Sequence, residues 1–64
     1  MRIDRVRLVS IMAKQNIRQY ELSDIAGVSL ATVSSVCCGR SCRKETARRI
    51  ANALGVDLRE LIEQ

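Results

Sequence analysis

One stretch of the chain constrains its fold more than any other. This stretch is Gly27–Gly39, with the sequence GVSLATVSSVCCG. Gly27 can adopt the positive φ of a sharp turn, Gly39 can end a helix in the left-handed conformation, and Ser29 is a good N-cap. The stretch therefore predicts a turn and one short helix over residues 30–38. Because so short a helix is marginal alone in water, it must dock on other elements. Its predicted inward residues are Val28, Val33 and Val36, and its other faces carry Leu30, Ala31, Thr32, Ser34 and Ser35.

Apolar residues at helical spacing predict four further helices around this unit. They cover, in chain order, residues 4–14, 18–26, 43–54 and 58–63. The second helix has Arg18 where a capping residue is expected, so Asn16 is the nearest substitute, and Ser41 is a candidate cap for the fourth. The expected core residues are Leu8, Ile11 and Met12, extended by Ile3 and Val6, then Leu22, Ile25 and Ala26, then Ala47, Ile50, Ala51 and Leu54, and finally Leu58, Leu61 and Ile62.

Length and composition agree with this pattern. Sixty-four residues leave room for one core, so residues 1–64 are expected to form a single domain. The chain has no proline, and Tyr20 is its single aromatic residue, which favours an all-α, compact five-helix bundle. No apolar run approaches the ~18–20 residues of a membrane span, and charges interrupt the N-terminal MRIDRVRLVS. We therefore expect a cytoplasmic protein.

The charge of the chain is uneven. The net charge is +4, and residues 1–20 carry five basic side chains against Asp4. A basic balance favours polyanionic partners, although most of these charges are also what a solvated surface needs. Arg40, Arg43 and Lys44 stand out because they cluster directly after the Gly27–Gly39 unit.

Two short helices joined by a Gly-containing turn form a helix-turn-helix unit, here residues 18–26 and 30–38. The sequence resembles the phage repressor and Cro-like (Xre-type) family of bacterial DNA-binding domains. The residues that carry the resemblance are Ile17, Gln19, Glu21, Leu22, Ala26 to Ser29, Thr32 to Ser34, Val36, Gly39, Arg40 and Ile50 to Val56. The segment 27–36 is also similar to the lactose-repressor headpiece, but that family has no full helix ahead of its helix-turn-helix.

The resemblance implies a mode of DNA docking. The helix 30–38 would lie in the major groove, and the helix before it would direct its N-terminus at a phosphate. By family position the base-edge residues are Leu30, Ala31 and Ser35, with Ser29 and Thr32 beside them. The phosphate contacts are Gln19, Arg40, Arg43 and Lys44, and Tyr20 is a further candidate, expected to be half-buried.

The sequence departs from the family at two places. Base reading in this family often uses Gln, Asn or Arg, whereas Leu30 and Ala31 can only pack on a thymine methyl, and Ser35 discriminates little. Sequence preference is therefore expected to be modest or to depend on DNA shape. The family also pairs an Arg with a Glu at the positions that hold Met12 and Cys37 here. We expect Met12 to pack against Cys37 in place of that ion pair.

The three cysteines, Cys37, Cys38 and Cys42, are expected to be reduced thiols, as is usual in the cytosol. A closed zinc site would have to recruit a carboxylate such as Glu45, and a thiol switch is the remaining alternative. No metal or other cofactor is expected. With no histidine, no Gly-rich phosphate loop, and no nucleophile beside a general base, the sequence gives no basis for an enzyme.

The sequence therefore predicts a transcriptional regulator, a repressor by type, that binds double-stranded DNA as a homodimer. Its dimer contacts are expected from residues 58–63 and the Leu54–Val56 corner. The alternative is a protein-interaction module of the same fold, an antitoxin component or assembly adaptor, in which a partner protein covers the same surface. The cations of the loop favour DNA, and the weak base readers favour the alternative.

Overall fold

The computed structural model describes residues 1–62, and these form five helices. They are α1 (Arg5–Gln15), α2 (Gln19–Ala26), α3 (Leu30–Cys37), α4 (Lys44–Leu54) and α5 (Leu58–Leu61). Apart from one backbone bridge between Ile3 and Ile62, residues 1–62 contain no β-structure. The prediction of an all-α, five-helix bundle is confirmed. The predicted boundaries are correct to within two residues, and residue 63, the predicted end of α5, lies outside the described part.

Backbone capping explains where the helices start and stop. The Asp4 carboxylate accepts hydrogen bonds from the Val6 and Arg7 amides, at 3.0 and 3.3 Å, and so starts α1. Asn16 takes a left-handed conformation, with φ of +55°, and closes α1. The prediction that it caps α2 is therefore wrong. The prediction for Ser41 is also wrong, because α4 starts from Arg43 with no side-chain cap.

The core lies where the five helices meet. Helix α2 packs on α3 and α4, while α1 packs on α3, α4 and α5. The N-terminal residues join this core, because Ile3 is buried and the Asp4 amide donates to the Leu61 carbonyl at 2.7 Å. The buried side chains are Ile3, Leu8, Met12, Leu22, Val33, Val36, Ala47, Ile50, Ala51, Leu54 and Leu61.

Three apolar residues lie further outward than predicted. Val6 is 68% exposed because it is two residues from buried Leu8, which rotates it by about 200° to the opposite face of α1. Ile25 is 59% exposed, since α2 turns Leu22 and Ala26 inward and Ile25 projects to one side. Tyr20, expected to be half-buried, is 60% exposed. Within residues 1–62 no helix is long and apolar enough to cross a membrane.

Candidate nucleic-acid interface

The turn between α2 and α3 is fixed by its own residues. Gly27 has a φ of +70°, and its amide donates to the Ser23 carbonyl at 3.0 Å. The Ser23 hydroxyl donates to the Val28 carbonyl at 2.6 Å, and the Val28 amide donates back to the Ser23 carbonyl at 3.2 Å. These bonds set the direction in which α3 leaves the turn. The predicted role of Gly27 is confirmed, whereas the contribution of Ser23 was not foreseen from sequence.

Helix α4 holds the same turn from the other side. The Arg49 guanidinium donates to the Gly27 carbonyl at 3.2 Å and to the Glu45 carboxylate at 3.0 Å. Arg49 lies on the exposed side of α4, where sequence reasoning assigned only solvated charges. The hydrogen bond to a carbonyl at the C-terminus of α2 also places a positive charge at the negative end of that helix.

The start of α3 is capped as predicted. The Ser29 hydroxyl accepts from the Thr32 amide at 3.1 Å, and the two hydroxyl groups share a hydrogen bond at 2.7 Å. When Ser29 donates this shared bond, Thr32 keeps its own hydroxyl proton for another acceptor. Leu30 and Ala31, which follow the cap, project outward, and Leu30 is 50% exposed.

The outer face of α3 carries no charge. Ser34 and Ser35 are half-buried, and inward-facing Val33 and Val36 anchor the helix to the core. Val28, predicted to face inward, is half-buried and packs against the core. After the helix, Gly39 has a φ of +92°, and the Arg40 amide donates to the Ser35 carbonyl at 3.1 Å. The end of α3 and the start of the following loop are thereby fixed together.

A shallow groove of about 250 Å³ runs between α3 and the loop into α4. It brings together Thr32, Ser35 and Arg43 from the sequence-based prediction. It also contains Thr46, which sequence reasoning missed, although its spacing of three from Arg43 puts both on one side of α4. The full lining is Thr32, Ser35, Val36, Ser41, Cys42, Arg43 and Thr46. The other predicted residues, Gln19, Leu30, Ala31, Arg40 and Lys44, lie outside this groove, as does Ser29.

The flanking polar residues are all accessible. Arg40, Arg43 and Lys44 are exposed, and within residues 1–62 none of them is within ion-pair distance of a carboxylate. Gln19 is exposed in the first turn of α2, where helix amide groups point outward. The Glu21 carboxylate accepts a hydrogen bond from the Arg18 amide at 3.1 Å, so one amide group at the start of α2 already has a partner.

The cysteines lie at the far end of α3 and in the loop. Cys38 is exposed, whereas Cys37 and Cys42 are half-buried. Burial raises the pKa of the Cys37 and Cys42 thiols, so both favour the protonated form. Among residues 1–62 no three Cys, Asp or Glu side chains are grouped so as to hold a metal ion.

Met12 is buried in the core, and Cys37 packs against that core from its edge. Direct packing between the two stays a prediction.

The family assignment follows from comparison with known domains. A sequence model of the Cro/C1-type HTH DNA-binding domain matches residues 7–64. The chain belongs to this family. The resemblance found in the residues of α2, the turn and α3 is therefore confirmed, and the family is one of DNA-binding domains. No curated protein matches the chain.

Solved structures with the same fold belong to larger proteins. One is a variant of hydroxyethylphosphonate dioxygenase, which this Cro/C1-type domain matches with 25% identity and a TM-score of 0.88. Two others are PhpD with cadmium atoms, and PhpD with cadmium and hydroethylphosphonate, each with 25% identity and a TM-score of 0.85. In all three the match covers the whole of this chain but 14% of theirs.

Proposed function

We propose that residues 1–64 form one domain that binds double-stranded DNA sequence-specifically, as a cytoplasmic transcriptional regulator of the repressor type. It acts as a binding domain rather than as an enzyme. The observation that carries this proposal is the uncharged, exposed face of α3, flanked by cations with no acidic partner within residues 1–62. A rigid helix of small polar and apolar residues fits the major groove, which is about 12 Å wide.

In this proposal the first turns of α3 meet the base edges. Leu30 and Ala31 pack on thymine methyl groups, because neither has a hydrogen-bonding side chain. Ser35 and Thr32 offer hydroxyl groups, and the Thr32 proton is available when Ser29 donates the bond they share. None of these side chains can make two hydrogen bonds to one base. Each position therefore discriminates little between one base pair and another. We therefore expect short, T-containing half-sites, and a preference that also depends on DNA shape.

Phosphate contacts supply most of the affinity. Gln19 meets one phosphate at the N-terminus of α2, where helix amides favour anions, and Arg40, Arg43 and Lys44 meet others from the loop. Each neutralised phosphate adds about −0.9 to the slope of log K against log salt. The three cations alone therefore predict a slope of about −2.7 for each bound domain.

Specific binding requires two copies, because one short helix reads few base pairs. A two-fold homodimer would read half-sites about 34 Å apart. The C-terminal corner is the proposed contact, but Leu54 and Leu61 are buried within the domain and offer it no surface. The remaining contact is through half-buried Val56, Leu58 and Ile62, so we expect dimerisation to be weak without DNA.

The test is selection of bound duplexes from a random pool, followed by affinity measurements from about 50 to 200 mM salt. We expect an enriched symmetric motif and a steep salt dependence. Arg43→Ala should flatten the slope by about 0.9 for each bound domain. On a duplex with a single half-site, where the dimer contact plays no part, Arg59→Ala is the matched control, since Arg59 lies on α5 and pairs with Asp57 at 3.6 Å. An affinity that does not change with salt would contradict the proposal, and a strict 1:1 complex on the enriched symmetric site would contradict the dimer.

A protein-interaction module is the second candidate. Exposed Tyr20, Ile25 and Leu30 lie on α2 and at the start of α3, and a protein partner could bury them. A similar domain also forms 14% of the chain of a hydroxyethylphosphonate dioxygenase, so the fold occurs as a part of larger proteins. An adaptor of this kind would select no motif from the random pool, which separates the two candidates.

A further inference from the structure

The N-terminal residues lie against the end of α3 and the loop that follows it. The Cys42 amide donates to the Met1 carbonyl at 2.8 Å, which joins the start of the chain to the loop before α4. The Arg5 side chain lies beside Gly39, with its Cδ atom 3.6 Å from the point that a β-carbon on Gly39 would occupy. A groove of about 380 Å³ between the two segments is lined by Arg2, Ile3, Asp4, Arg5, Val6, Cys38 and Gly39.

The charge of Arg5 is not neutralised by its neighbours. Within residues 1–62 its guanidinium has no ion pair or side-chain hydrogen bond. The adjacent Asp4 is occupied by the Val6 and Arg7 amides and by the Arg7 guanidinium, at 3.9 Å. Arg7 differs from Arg5, because it also donates to the Glu60 carbonyl at 3.3 Å and so faces α5. Arg5 is thus an exposed, uncompensated cation beside the Gly39–Arg40 corner.

We infer that Arg5 is a further phosphate-binding residue, which extends the basic edge of Arg40, Arg43 and Lys44 onto α1. The inference rests on the proposed DNA-binding function. The stem of Arg5 lies beside Gly39, and Arg40, the first residue of that edge, directly follows Gly39 in the chain. Successive phosphates of one strand rise by only about 3.4 Å along the axis, so a backbone bound at Arg40 continues past a neighbouring cation. A guanidinium can also hold a phosphate with two parallel hydrogen bonds.

The test compares Arg5→Ala with Lys14→Ala on a non-specific duplex of about 20 base pairs, from about 50 to 200 mM salt. Lys14 is the matched control, since it is an exposed cation of the same helix but lies at its other end, in a groove with Val56 and Glu60. Fluorescence anisotropy gives the slope of log K against log salt for each protein. Arg5→Lys tests rescue by a retained charge, and thermal melting by circular dichroism confirms that each variant is folded.

We expect Arg5→Ala to flatten the slope by about 0.9, with binding about fifteenfold weaker at 50 mM salt and about fourfold weaker at 200 mM. Lys14→Ala should keep the wild-type slope, and Arg5→Lys should restore most of it. A folded Arg5→Ala variant with the wild-type slope would overturn the inference while leaving the proposed function intact. Equal flattening by Lys14→Ala would also overturn it, since the effect would then be one of net charge. A wild-type protein with no salt-dependent affinity would instead reject the proposed function itself.

Discussion

Helices α3 and α4 use their apolar residues in opposite ways. Helix α4 buries Ala47, Ile50, Ala51 and Leu54 along one face and covers its other side with charges. Helix α3 has no charged residue, buries Val33 and Val36, and leaves Leu30 and Ala31 exposed. The apolar residues of α4 are thus accounted for by packing alone. Packing does not account for the outer face of α3, and an uncharged exposed face is what a helix needs when a ligand is to cover it.

The variant with the largest expected effect places a positive charge in the core behind α3. Met12 is 6% exposed and lies in the core between α1 and the other helices. Met12→Arg would bury an unpaired cation, so we expect a loss of about 3–5 kcal/mol in the free energy of unfolding, measured by urea denaturation. Cys37→Glu in the same chain should recover most of that loss if the two side chains meet. A double variant no more stable than Met12→Arg would show that they do not.

The next two variants compare the roles of α4 and α3 directly. Ile50→Ala removes a fully buried side chain of α4, so we expect a loss of about 2–5 kcal/mol in unfolding free energy. Leu30→Ala removes a half-exposed side chain of α3 and should change stability by less than about 0.5 kcal/mol, while weakening specific DNA binding. Urea denaturation and anisotropy on the selected site measure the two quantities. Equal losses of stability would break the distinction between the helices.

This contrast also explains how much the sequence could predict. Apolar spacing found all five helices, and Gly27, Ser29 and Gly39 fall where their backbone preferences place them. The prediction of which residues face inward was less accurate. Ile25 is apolar and close to Leu22 in sequence, but the position of α2 against its neighbours leaves Ile25 exposed. Spacing predicts a stripe along a helix, but the width of the stripe that is buried depends on the other helices.

The candidate site was predictable in its local parts and not in its long-range ones. The Ser29 cap is a contact between near neighbours in sequence, so the residue type alone indicates it. The Arg49 bond to Gly27 joins residues 22 apart, and Arg5 lies beside Gly39 across an even longer separation in sequence. Neither contact follows from periodicity, because each depends on how α1 and α4 pack around the helix-turn-helix.

A smaller effect concerns the starts of the two helices. Ser29 caps α3 through the Thr32 amide, whereas α4 begins at Arg43 with no side-chain cap. We expect Ser29→Ala to lose about 1 kcal/mol and Arg43→Ser to gain about 0.5–1 kcal/mol in unfolding free energy. The second variant should also flatten the salt dependence of DNA binding, so stability and binding would change in opposite directions. A stabilised Arg43→Ser variant with the wild-type salt slope would remove Arg43 from the phosphate contacts.

The smallest effect distinguishes the two sides of α3 at its C-terminal end. Cys37 is half-buried and the adjacent Cys38 is exposed. Burial raises the pKa of the Cys37 thiol, and a neighbouring Cys38 thiolate raises it further. Because the thiolate is the nucleophile, Cys37 should react more slowly than Cys38 with iodoacetamide near pH 8. We expect a severalfold ratio of rates, measured by peptide mass spectrometry on the folded protein.

The dependence of this ratio on pH and on folding provides the control. As the pH rises through the raised pKa of Cys37, its thiolate fraction increases, so the two rates should converge. In concentrated urea both side chains are exposed, and the ratio should approach one. A ratio that persists in urea would trace the difference to the local sequence instead of to burial. A folded protein in which Cys37 reacts as fast as Cys38 at pH 8 would mean that the end of α3 opens in solution, and that α3 is less firmly docked than α4.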